Sequence, residues 1–150
     1  MSSIQDLTLD SIASIGLMFL DGDTFETVLI GAHDRQVDYE FDKFNKCKAT
    51  VMKIERLNPE KNLTVFLWQL RPDNPDVILP LVAGRQLPRT GYSGITVTPP
   101  IAAALKGKFG GCITEYEGGG SSHYYPIRNS DDEVVGVLEL LSENTNYVDI

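Results

Sequence analysis

The chain is poor in most of the residues that catalysis and metal binding draw on. It has two cysteines, two histidines and one tryptophan in 150 residues. Cys47 and Cys112 lie far apart and form no Cys-x-x-Cys pair, which argues against zinc and redox chemistry; two buried thiols are the simplest reading, and one long-range disulfide in an oxidising compartment is the alternative. Positive charge is also scarce: 13 Lys and Arg stand against 21 Asp and Glu, a formal net charge of −8. An acidic surface repels phosphate backbones, so nucleic acid is not an expected partner. The densest basic stretch, Lys43, Lys46, Lys48 and Lys53, is interleaved with apolar residues at helical spacing and reads as a solvated helix face. No apolar run approaches the ~18–20 residues that span a bilayer. The N-terminus lacks the positive charge of a signal peptide.

What is present suits one soluble domain spanning 1–150, with 42% hydrophobic residues and no repeat. Ile4, Leu7, Ile12, Ile15 and Phe19 recur at helical intervals and predict an N-terminal helix over 1–20. Asp21-Gly22-Asp23-Thr24 interrupts it, with Asp23 or Thr24 placed to cap a second helix. Phe25, Val28, Val37, Phe41, Phe44, Cys47, Val51 and Ile54 then continue in steps of three and four. They predict one long helix through about 24–57, ended by Asn58-Pro59.

Beyond Pro59 the period changes from helix to strand. Strands are expected at 63–70 and 77–83, then a long loop over 84–100. A short helix follows, with Pro99-Pro100 at its start and Gly107 just past its end. Three strands, about 111–116, 122–128 and 134–141, close the chain through hairpin turns at 117–120 and 129–132. The expected fold class is α+β, a long N-terminal helix packed on a five-stranded antiparallel sheet.

Gly107-Lys108, Ile113-Thr114-Glu115-Tyr116 and the run His123-Tyr124-Tyr125-Pro126-Ile127-Arg128 through Val134-Val135-Gly136-Val137-Leu138 resemble the second half of Cache domains. Leu20-Asp21-Gly22-Asp23, Asn58-Pro59 and Gly91-Tyr92 match the family's earlier pieces. Cache domains are PAS-like extracytoplasmic sensors of chemoreceptors, histidine kinases and diguanylate cyclases. One departure is Asp132, where the family has glycine. The resemblance implies a signalling input domain from a membrane-anchored, periplasmic receptor. It also implies a small polar or anionic metabolite as ligand. The apolar positions of residues 4–19 exceed what a solitary terminal helix needs and predict a parallel homodimer. The alternatives are a ligand-free dimerisation module and a cytosolic PAS- or GAF-type sensor.

Catalysis finds no support in the sequence. His33 and His123 adjoin no nucleophile elbow, and Gly118-Gly119-Gly120-Ser121-Ser122 lacks the lysine of a phosphate loop. No cofactor is expected, and Glu115, Glu117 and His123 make at best a scattered metal set. Strand alternation groups Phe66 with Trp68 and Leu70, and His123 with Tyr125 and Ile127. The expected ligand site joins Trp68, His123 and Tyr125 on one sheet face to Arg85 and Tyr92 in the central loop, with Tyr116 nearby. Arg89 is a weaker candidate, and Arg128 is expected to point away.

Overall fold

The computed structural model describes residues 8–34, 41–71, 74–86 and 94–143. The first helix, α1, runs Leu9–Phe19, where Thr8 Oγ1 accepts the Ser11 N–H at 3.1 Å. The second, α2, runs Gly22–Asp34. Its cap is Asp21, which accepts the Asp23 and Thr24 N–H groups at 3.0 and 3.3 Å. Asp23 serves another purpose: its carboxylate accepts the Ser130 N–H at 3.0 Å, tying the helix start to a hairpin 107 residues later. Gly22 makes that approach possible, because a Cβ there would stand 1.9 Å from the Arg128 carbonyl oxygen.

A third helix, α3, occupies Phe41–Glu55. The single helix over 24–57 is therefore corrected to two. A continuous helix would hold Asp21 and Cys47 about 39 Å apart, yet the two line one groove with Thr24, Thr50 and Lys53. The apolar stripe reads the same whether the helix continues or doubles back, because both arrangements bury the same face. Lys48 also departs from the solvated face, since its ammonium donates to the Ala83 and Gly84 carbonyls.

The strands are β1 (Leu63–Arg71), β2 (Asn74–Ala83), β3 (Ile95–Thr96), β4 (Ile113–Glu115), β5 (Gly120–Arg128) and β6 (Val134–Glu143). They form one antiparallel sheet in the order β3-β2-β1-β6-β5-β4. Among the described residues the sheet thus has six strands instead of five. The added one is two residues of the central loop that pair with Val77 and Ile78, a segment too short to show a period. A fourth helix, α4 (Pro99–Leu105), has the proline start, and Gly107 beyond its end has φ +99°. Asp132 takes the left-handed conformation at φ 62°, while Asn129 Oδ1 braces its turn by accepting the Asp131 and Glu133 N–H groups.

Two apolar clusters lie on opposite faces of the sheet. Helices α1–α3 cover one, where Ile12, Phe25, Val51 and Ile54 meet Val65, Leu67, Tyr125, Leu138 and Leu140. The α4 helix covers the other through Ile101 and Ala104, over Phe66, Trp68, Ile78, Tyr124 and Val137. None of the described helices is long and apolar enough to cross a membrane.

Candidate functional site

Register aligns Phe66 of β1, Glu139 of β6 and Tyr124 of β5 in one row across the sheet. Cross-strand neighbours share a face, so Glu139 enters the apolar layer beneath α4. Only 6% of its surface is exposed. The Trp68 indole Nε1 donates to Glu139 Oε1 at 2.7 Å, and the Ser122 hydroxyl donates to Oε2 at 2.5 Å. Ser122 Oγ is in turn 2.8 Å from the Tyr116 hydroxyl. The chain Trp68–Glu139–Ser122–Tyr116 therefore crosses four strands or strand ends as one polar line, buried as far as Ser122 and half-buried at Tyr116.

Desolvation governs the electrostatics of this line. Burial raises the Glu139 carboxyl above its ordinary range, and the Ser122 and Trp68 hydrogen bonds recover part of that shift. Burial, then the charge of Glu139, also pushes up the Tyr124 phenol. Thr64, on the same face of β1 two positions from Phe66, is fully buried and its hydroxyl has no hydrogen-bond partner. The arrangement can accept hydrogen bonds from a polar group, and its indole and phenol rings offer apolar contact area.

The expected site residues do not converge. Trp68 and Tyr116 belong to this line. Tyr125 lies on the opposite face, where its hydroxyl donates to Asp10 Oδ1 of α1 at 2.7 Å and its ring meets Phe109 at 5.0 Å. His123 is on that same face, with Nε2 2.9 Å from Ser121 Oγ. Burial lowers its pKa, against the raising influence of Asp10 and Glu115. Register therefore places Trp68 on the sheet face opposite His123 and Tyr125. Alternation groups residues within each strand correctly, but it cannot say which group of one strand matches which of the next.

Arg85 is exposed, and it is turned away from Trp68: its guanidinium donates to Asn62 Oδ1 and its N–H to Glu55 Oε2 of α3. Tyr92 and Arg89 lie outside the described residues. Sequence reasoning missed Glu139, although a single carboxylate inside Val137-Leu138-Glu139-Leu140-Leu141 is the signal that could have found it. It missed Asp10 as well, for which no local pattern offers a clue. Among the described residues no three His, Cys, Asp or Glu side chains come together as metal ligands.

Two open grooves flank the α1–α2 corner. One, of about 340 Å³, runs between that corner and α3. The other, of about 360 Å³, lies where the end of α1 meets the end of β5 and the connection after α4. No protein-family model, no curated protein and no solved structure matches this chain.

Proposed function

We propose that this domain is the small-molecule-sensing input module of a signal-transduction protein, reading its ligand on the sheet face that carries Trp68 and Glu139. One observation carries the reading: the Glu139 carboxylate is buried in an apolar layer, between an indole and a hydroxyl. Such a group is a poor choice for stability alone, since a well-packed apolar residue would do as well or better. Ionisable groups displaced by desolvation beside specific partners concentrate at functional sites. The unpartnered Thr64 hydroxyl on the same face adds a second polar atom that a guest could satisfy.

The carboxylate alters the expected ligand chemistry. A metabolite presenting N–H or O–H donors suits Glu139 better than an anionic one. The indole of Trp68 supplies apolar area alongside. Movement at β5 reaches the N-terminal helix through the Tyr125–Asp10 hydrogen bond, a direct link from sheet to α1. Following the Cache resemblance, the receptor is membrane-anchored and the domain extracytoplasmic, with no catalytic role of its own.

The second reading, a ligand-free dimerisation module, is favoured by a specific fact. Trp68 is only 3% exposed and its N–H is already satisfied by the chain itself. A thermal-shift screen over amines, amino acids and sugars separates the two. A ligand present at about 100 times its Kd adds roughly 2.7 kcal/mol of stability. Calorimetric titration of any hit should then show affinity falling at least tenfold in Glu139→Gln. Equal affinity in that variant would put the site elsewhere, and a screen without hits would favour the dimerisation module.

A further inference from the structure

We propose that the groove between the end of α1 and the end of β5 binds a small amphipathic carboxylate, independently of the opposite face proposed above for sensing. Its walls are Leu17 from α1, Leu20 just past its end, Phe109 from the α4–β4 connection, and Pro126 and Ile127 from β5. Arg128 stands at one end. Its volume of about 360 Å³ is within the range of small-ligand sites.

The groove follows from the sheet. β4 pairs with β5 only along Ser121–His123, so among the described residues no strand covers the outer edge of β5 from Pro126 to Arg128. Proline suits that edge because it has no N–H to leave unpaired. The connection after α4 passes this edge, setting the half-exposed Phe109 ring against Tyr125.

Arg128 sets the class of ligand. Its Nη1 donates to the Asp132 carbonyl at 2.9 Å, and Nη2 lies over Gly107, where a Cβ would come within 2.5 Å. Two contacts thus fix the guanidinium at the mouth of the groove. Its carboxylate neighbour among the described residues, Asp132, is 3.7 Å away with 85% of its side chain exposed, a pair that solvent weakens. A positive charge at the end of an apolar trough, on a chain of net charge −8, is complementary to one anionic head on one hydrocarbon tail. A carboxylate also matches the guanidinium's fork of donors. The neighbouring exposed Met18 and Phe19 make a second copy the competing occupant.

Calorimetric titration of the full chain with octanoate, hexanoate, octanol and octylammonium tests the proposal. Octanoate is expected to bind, and each methylene removed should weaken it about fourfold. Octanol and octylammonium should bind at least tenfold more weakly than octanoate. Arg128→Gln should remove that preference for octanoate, whereas Phe109→Ser should weaken octanoate and octanol alike. Glu139→Gln should change nothing, which separates this site from the sensing face. Both Arg128 and Phe109 are exposed, so these variants should keep the wild-type thermal midpoint. Absence of octanoate binding, equal binding of octanol and octanoate, or an unchanged preference in Arg128→Gln would overturn the proposal. So would variants that alter sedimentation while leaving the titration unchanged, since the groove would then be a contact between copies.

Discussion

Glu139 sits where the cost of burying a carboxylate opposes the benefit of two short hydrogen bonds. Burial is the larger effect, so the native state holds its proton more tightly than the unfolded chain, whose carboxyl titrates near 4.5. The stability contributed by that proton is complete below 4.5 and is lost as pH rises through the raised native value. Each unit of displacement corresponds to about 1.36 kcal/mol. Urea unfolding of wild type and Glu139→Gln, from pH 4.5 to neutrality, should show the variant gaining stability relative to wild type as pH rises. A difference independent of pH would mean that the carboxyl titrates normally. His123, with its lowered pKa, has the opposite slope below its ordinary 6.5, but it is present in both proteins and cancels. At this scale the sequence pointed to Trp68 and Tyr116 as functional aromatics, but not to the acid between them. An isolated carboxylate in an apolar strand reads equally as a solvent-facing residue until register fixes its side.

Elements meet here through contacts that propensity does not describe. A glycine in the first turn of a free helix is a weakness, and alanine would strengthen such a helix by about 1 kcal/mol. Gly22→Ala in this protein should instead destabilise it by roughly 1–3 kcal/mol, because the added methyl meets the Arg128 carbonyl. The movement would also strain the bond from Ser130 N–H to Asp23. Denaturant midpoints decide which effect wins, and a stabilised variant would show that α2 can shift away without loss. The short α4 and both terminal hairpins were legible, because proline, glycine and Asp132 state their backbone requirements locally. The reversal between α2 and α3 was not, since a helical stripe carries no record of a turn back upon itself. Nor was β3, whose two residues are fewer than one period of alternation needs.

For the whole molecule, the sheet with helices on both faces was readable from the change in period, while the pairing of its faces was not. The same limit bears on association. The expected N-terminal stripe is divided: Ile12 is buried in the domain's own core, Ile15 is half-buried and Phe19 stays exposed. Residues 4–7 lie outside the described residues. What α1 offers a partner is Met18, 82% exposed, and Phe19, 60% exposed. If the domain dimerises through this helix, sedimentation at tens of micromolar should detect the dimer in wild type. A Met18→Ser, Phe19→Ser double variant should then be monomeric with an unchanged thermal midpoint. A wild type that remains monomeric would remove α1 as an assembly surface.

The hydrogen bond between Trp68 and Glu139 also has an optical consequence. Trp68 is the chain's only tryptophan, so the tryptophan emission of the unlabelled protein comes from one indole in contact with a titrating carboxylate. Indole emission shifts with the charge and hydrogen bonding of its N–H. Proton uptake by Glu139, or a guest drawing that carboxylate away, would therefore be visible as a change in colour and intensity. The domain carries its own light source at the centre of the face proposed to sense.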